Sequence, residues 1–550
     1  MLPSGIVDVA EGGHGSSAMG SRALLLAGLG ILFMAIVAAT PGSPYQPPLP
    51  AGGQPHGILR DVAVALHLDR LQGDPLLAIG VLATLLATAS FLLLLREAFR
   101  GRVSVGAVAV VVVGAHALLL LVPLLFSRDV YSYAFYGRIA GVYGGNPYVQ
   151  TPLDHSGDML WNFVGWQWVN TPAYYGPAWT SLSAVLSKIL PGPIDDVQAY
   201  RFISIGASLL TCGVIVWVVH RVWPQRTAFA LAAFGANPVV LFHSVASGHN
   251  DLLVALGIVS AYALLLSKRE AAAVAVLTLA ALIKVTALLP LIMLLVWCVA
   301  RRAPEERRAA FVSRVGLSAG IGLLLAVPYF QLHDPTLGMV GLASRSGWFA
   351  PTRAIARVVD GVTFHTLGWV VSLGALCLLA WGVWSLARAV WRRTSIGTLS
   401  AKELGAVWGW ALVLLLLLGP VLLPWYIVWG LPLVWALPRV PRITMLAASA
   451  MLGVTLWSEE PLRYPGAFDL NLLVGYLVVV PVLLVMLVLV IQDLRSRIEH
   501  GRPFDDGVPS TAQTMLAGQT DGQERITDPA GERAGKAGDP SSPEIPAEAL

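Results

Sequence analysis

Between Ser127 and Tyr148 the chain places one carboxylate, Asp129, among two arginines and five tyrosines, directly after the apolar run 103–126. Ser127 would cap a helix with Asp129 in its first turn, where the positive end of the helix dipole helps keep a carboxylate ionised. On such a helix Asp129, Tyr133 and Tyr136 share one face at i, i+4 and i+7, and Tyr131, Phe135 and Arg138 another. Gly141, Gly144 and Gly145 end it before an Asn146-Pro147 turn. A helix lying along the membrane surface, with an ionised acid aimed over the protein's mouth, suits general-base chemistry. Ser-x-Asp is also an ordinary helix start, and tyrosines beside a membrane segment also serve as interface anchors.

Further polar groups are scattered along the chain. Lys284 sits inside Ala-Leu-Ile-Lys-Val-Thr-Ala-Leu, where a lysine costs ~2.5 to 3.5 kcal/mol at a bilayer centre. A hairpin turn there would bring the ammonium to the surface, where it suits an anionic head group or merely snorkels. His249-Asn250-Asp251 lies between two apolar runs: His249 would donate to a phosphate or orient an acid, and Asn250 or Asp251 would otherwise cap the next helix. Tyr174-Tyr175-Gly176-Pro177 opens a short helix. Trp425 and Tyr426, in Pro-Trp-Tyr-Ile-Val-Trp, offer aromatic faces to a sugar or prenyl chain, or anchor at the interface. Arg345 and Arg353 carry planar guanidinium groups suited to phosphate, or lie in a solvated loop. No phosphate-cradling glycine loop, Ser-His-Asp order, zinc spacing or Asp-x-Asp pair is present, which argues against a nucleotide-driven pump or a cytosolic nucleotide-sugar enzyme and leaves metal and cofactor as none.

The elements that must position these groups are membrane helices. Of 550 residues 56% are hydrophobic and only 12% charged, with a mean hydropathy of +0.70, which excludes the soluble classes. The pI near 9.0 reflects basic residues in short loops rather than one patch, so no nucleic-acid partner is implied. Cys212, Cys298 and Cys377 all fall in apolar runs and read as small core residues. Reading 271–300 and 404–437 as hairpins gives about 13–14 crossings, each judged against the ~20 residues a span needs. The basic clusters around Arg96, Arg221, Arg301, Arg388 and Arg439 then share one side, the cytoplasm, with both termini there. The divisions are a disordered N-terminus, 1–22; a transmembrane domain, 23–491, with an extracytoplasmic cap over 127–199 that includes an interfacial helix begun by Pro177; and a disordered tail, 502–550.

Asp129-Val-Tyr-Ser-Tyr133, Gly137-Arg138, Gly144-Gly-Asn-Pro-Tyr148, Tyr175-Gly-Pro177, His249-Asn-Asp251, Lys284 and Pro424-Trp-Tyr-x-x-Trp429 together resemble the polyprenol-phosphomannose-dependent α-1,6-mannosyltransferases, which are GT-C type membrane glycosyltransferases. The resemblance covers about 23–491 and implies an all-α integral membrane fold. It further implies inverting transfer of mannose from a β-linked polyprenyl phosphate to a lipid-anchored mannan on the outer face of the cell membrane. The acid of the first large outer loop is the base in that wider group and maps onto Asp129, although here that loop follows the third apolar run rather than the first. Lys284, with His249 and Arg345 or Arg138, would stabilise the departing phosphate, and Tyr174, Tyr175, Trp425 and Tyr426 would shape the sugar pocket. A GT-C enzyme using another polyprenyl-phosphate sugar, or a polytopic lipid or sugar flippase, fits the same composition.

Overall fold

In hydrocarbon an apolar run has one low-energy form, the helix, because only there is every backbone group paired within the segment. The computed structural model describes residues 17–53, 57–332, 336–341, 349–364, 366–456 and 464–505, and every regular element among them is helical. Among the described residues seven helices are long and apolar enough to cross a bilayer: Ala18–Ala39, Asp74–Phe99, Pro193–Val222, Pro304–Tyr329, Gly368–Ser395, Ala401–Leu418 and Pro465–Glu499. Pro224–Gly235 and Val239–Val245, bent by 41°, would make an eighth if taken as one broken span.

The expected 13 to 14 crossings therefore exceed what helix length supports, because several apolar runs are broken into pieces. Val105–Leu119, Asp251–Leu266 and Glu270–Ala281 have 15, 16 and 12 residues, short of the ~20 needed. The run holding Lys284 does break there, with Glu270–Ala281 on one side, a tight turn at Val285–Ala287, and Leu288–Ala300 beyond. The run after Ala401–Leu418 does not return as a second helix. Pro420, Pro424, Pro432 and Pro438 each remove a backbone donor, and the chain instead winds through the 3-10 turns Pro424–Trp429 and Leu431–Leu433, all buried.

The segment 127–199 folds as a cap of two packed helices, Asp129–Gly141 and Pro177–Leu186, joined through 3-10 turns at Pro152–His155, Trp161–Phe163 and Trp166–Trp168. Helix Asp129–Gly141 does not lie along a surface with one face open. Tyr131, Tyr133, Phe135 and Tyr136 are all buried, so these side chains are core rather than an interfacial belt. Tyr133 meets Tyr175, Trp179 and Tyr200 edge-on, with ring centroids 4.8, 5.1 and 5.6 Å away, an arrangement that aromatic quadrupoles favour.

Several boundaries shift from the sequence reading. The first helix begins at Ala18, five residues early, where the Ser17 hydroxyl accepts from the Gly20 amide. Residues 502–505 belong to the fold, since Phe504 is buried and its carbonyl accepts from the Trp410 indole at 3.1 Å. The rest of the expected disordered termini, 1–16 and 506–550, lies outside the described residues, as does Arg345. Cys212 and Cys298 are buried as expected, but Cys377 is exposed on Gly368–Ser395.

The cap is fastened to the Lys284 break by backbone bonds. The amides of Gly176 and Ala178, at a helix start that cannot satisfy them internally, donate to the carbonyls of Ile283 and Leu282 at 2.9 and 3.0 Å. A Cβ on Gly176 would stand 2.0 Å from the Leu282 carbonyl oxygen, so only glycine permits this approach. Gly176→Ala should therefore destabilise the detergent-solubilised protein by about 1 to 3 kcal/mol, the usual cost of overpacking. Gly316→Ala, where a Cβ meets open space, should leave the thermal unfolding midpoint unchanged.

Candidate active site

Asp129 begins its helix after the N-cap Arg128, which makes no side-chain cap; Ser127, the expected cap, lies one place further out, and its hydroxyl oxygen accepts from the Asp129 amide at 3.1 Å. The Asp129 carboxylate is largely buried, with 14% of its side chain exposed, and it opens onto a cavity of about 240 Å³. One of its oxygens, Oδ2, gathers three neighbours: the Tyr175 hydroxyl at 3.4 Å, the Tyr133 hydroxyl at 3.5 Å and His249 Nδ1 at 3.5 Å. Burial pushes its pKa up to about 6, against the Ser127 hydroxyl bond and the Lys284 charge, which lower it, while Asp251 raises it further.

His249 is fully buried and stacks on Trp425 with ring centroids 4.1 Å apart. Burial holds its pKa well below the ordinary range, and the charges of Lys284 and His243 push the same way. A neutral imidazole carries one N–H. Nε2 has no hydrogen-bond partner among the described residues, so the proton belongs on Nδ1, which faces Asp129 and lies 3.3 Å from the Tyr133 hydroxyl. His249 does not line the cavity, and its ring contacts Asp129 instead.

Asp251 does not act as a simple helix cap. Its buried Oδ1 accepts from Lys284 Nζ and from the Trp429 indole, both at 2.7 Å. The ammonium also lies over the ring faces of Tyr426 and Trp429, at 4.4 and 5.3 Å from their centroids. Lys284 lines the same cavity as Asp129, so the base candidate and the cation, 155 residues apart by number, face one space.

Tyr174, Tyr175, Trp425 and Tyr426 line the cavity as the sequence suggests. Asn250 does not: its buried side chain hydrogen-bonds no described residue. Arg138 is turned aside into an ion pair with Asp158 at 2.7 Å, which also accepts from Tyr143, so it braces the cap. Three cavity groups carried no signal in the sequence beyond being ordinary polar residues: Ser132, Gln167 and Thr286. Trp429 was legible as the last residue of the Pro-Trp-Tyr-x-x-Trp motif with no role attached, and its indole proves to donate to Asp251. No cluster of three or more potential metal ligands occurs among the described residues.

The cavity's remaining wall is apolar, built from Leu415, Leu416, Val421, Leu422, Val285 and Val340. The arrangement offers a carboxylate of raised basicity, a fixed cation and a greasy flank, which together fit a reaction on an anionic, lipid-carried substrate.

Comparison with known proteins is consistent with that chemistry. The family model described as alpha-(1->6)-mannopyranosyltransferase, N-terminal domain, matches residues 25–301, a span that includes Asp129, His249, Asp251 and Lys284. Alpha-(1->6)-mannopyranosyltransferase A of Mycobacterium tuberculosis is 27% identical over 369 residues, covering 64% of this chain and 68% of that protein. Alpha-(1->6)-mannopyranosyltransferase A of Corynebacterium glutamicum is 34% identical over 179 residues, 31% of this chain and 36% of that protein. Alpha-(1->6)-mannopyranosyltransferase B of the same organism is 24% identical over 341 residues, 57% and 56% of the two chains. No solved structure matches the chain.

The buried pair gives a direct test. Asp251→Asn should cost about 3 to 5 kcal/mol, because it strands the Lys284 charge inside the protein. The double variant Asp251→Asn with Lys284→Met should recover most of that loss, and thermal unfolding of the purified single and double variants checks both outcomes.

Proposed function

The chain belongs to the alpha-(1->6)-mannopyranosyltransferase family, and we propose that it transfers mannose from polyprenyl-phosphate-mannose to a lipid-anchored mannan, with inversion, on the extracytoplasmic face. The observation that carries the reading is the shared cavity in which Asp129 and the Lys284 ammonium stand beside an apolar flank. A nucleotide-sugar donor has no use for that flank. A prenyl chain does, and its phosphate would rest against Lys284.

In the proposed step the acceptor's 6-hydroxyl oxygen attacks the anomeric carbon while Asp129 takes its proton. The new C1–O bond forms as the bond from C1 to the phosphate oxygen breaks, and the electron pair leaves with the polyprenyl phosphate. Lys284 stands where that negative charge grows, and the buried Thr286 hydroxyl, with no hydrogen-bond partner among the described residues, lies in the same cavity two residues on. Attack from the side opposite the phosphate turns a β-linked donor into an α-linked product. His249 and Asp251 act one layer back as positioning residues, the first on Asp129 and the second on Lys284. The outward orientation is supported by sequence alone, through the tendency of basic residues to gather in cytoplasmic loops.

Asp129→Asn should lower kcat about 100- to 10,000-fold with membranes supplied with labelled polyprenyl-phosphate-mannose and acceptor, the range for loss of a general base. Undiminished labelled product would remove Asp129 from that role. In the wild-type protein only the ionised carboxylate accepts a proton. A raised pKa therefore predicts that kcat/KM falls about tenfold per pH unit below about 6, not below the ordinary carboxylate value near 4. A pH–rate profile from 4.5 to 8 would check this.

A further inference from the structure

We propose, resting on the reading above, that the cap side of the cavity is the binding subsite for the acceptor's saccharide. Gln167 and Ser132 would be its polar contacts, and Trp168 with Tyr174 its aromatic platform. The argument starts from how the walls divide. Lys284 and Thr286 fix where a phosphate would sit, and the apolar residues of 415–422 flank it. In-line displacement requires the incoming hydroxyl to approach from the other side of the anomeric carbon, next to Asp129. The cap, which carries Asp129, also supplies Ser132, one helical turn beyond it, and Tyr136, Gln167, Trp168 and Tyr174 to the cavity lining.

The chemistry of this wall fits sugar hydroxyls. Ser132 is buried, and its Oγ has no hydrogen-bond partner among the described residues. The Gln167 side-chain amide likewise bonds to no described residue although it lines the cavity; its backbone carbonyl alone is engaged, by the Thr171 hydroxyl at 3.5 Å. Both groups donate and accept, as hydroxyls do. Among the described lining residues Lys284 is the one cation, so the cap wall has nothing to attract a second anion. An unpaired buried polar atom is costly, and a ligand that pairs with the Ser132 hydroxyl recovers that cost, while the half-buried Gln167 amide is open to the cavity.

The wall is also built before any ligand arrives. The Tyr136 hydroxyl donates to the Thr171 carbonyl at 2.8 Å, pinning the turn that carries Gln167 and Trp168. Trp168 meets Tyr174 edge-on at 6.1 Å between centroids. Gly341 lets its loop close on the Tyr174 ring, since a Cβ there would come within 2.8 Å of it. Rigid aromatic faces with a few placed polar groups are the usual makeup of a site that orients a small ligand.

The test uses the full-length protein in lipid nanodiscs, polyprenyl-phosphate-mannose as donor and an octyl α-1,6-dimannoside as the acceptor probe. Gln167→Ala and Ser132→Ala should each raise the KM for the dimannoside about 3- to 10-fold, the scale of one lost hydrogen bond, with the KM for the donor within twofold of wild type. Trp168→Leu should raise the acceptor KM at least as much. If wild type transfers mannose yet all three variants keep the wild-type acceptor KM, or the donor KM rises in step with it, the subsite assignment falls while the proposed reaction stands. If wild type itself transfers nothing from this donor, the reaction reading fails and the subsite with it.

Discussion

A lysine ammonium in the interior of a membrane protein must be paired, solvated or removed, and the way this chain pairs Lys284 determines most of the layout around its cavity. Charge separation in low dielectric is expensive, so the partner carboxylate has to sit within contact and be held there by further bonds. Asp251 meets both conditions: the Trp429 indole shares its Oδ1, and the ring faces of Tyr426 and Trp429 support the cation from the other side. That cluster needs residues from three places, the start of Asp251–Leu266, the break before Val285 and the turn Pro424–Trp429. It therefore fixes how those pieces meet. Two residues upstream, His249 is held by the same segment and touches Asp129, so the spacing His-x-Asp sets the base candidate and the cation at a fixed relation.

The broken helices follow from the same demand. A continuous span through residue 284 would leave the ammonium in hydrocarbon, and Pro420 and Pro424 deny a continuous helix two of the amides it needs. Breaking the chain frees backbone groups, and each break is repaired locally. The carbonyls of Leu282 and Ile283 receive amides from the cap helix, and the prolines of 420–438 need no donor partner at all. The irregular backbone of 284–286 and 419–423 lines the cavity.

Legibility in the sequence followed cost. Lys284 stood out because a lysine in an apolar run has to be explained, and Asp129 because an acid beside a membrane segment does. Both do open onto one cavity. The cap with Pro177 at its helix start, and the all-helical class, were readable from turn residues and hydropathy. Crossing number was not, because hydropathy counts apolar residues and is blind to whether a run of them stays one helix or breaks into two short ones. Arg138 looked like a phosphate ligand on charge alone, and only the fold reveals that Asp158 claims it. Ser132, Gln167 and Thr286 are common polar residues that line the cavity, a placement that no local pattern encodes. Asp251 was half legible: its position permitted a cap, whereas the actual bonds are to residues 33 and 178 positions away.

Two carboxylates share this site, and their surroundings assign them different work. Asp251 is sealed from the cavity with one oxygen engaged by an ammonium and an indole, so it is committed to charge balance and cannot reach a reacting hydroxyl. Asp129 has only weak, long contacts on Oδ2 and part of its side chain open to the cavity. Its pKa is raised by burial first, with the Asp251 charge adding to the shift and Lys284 opposing it. Raised basicity with an open approach is what a proton acceptor needs, and firm pairing is what a structural counter-ion needs. Electrostatics keeps the two apart: moving Lys284 from Asp251 to Asp129 would lower the basicity of the one carboxylate that faces the cavity and leave the sealed one unpaired.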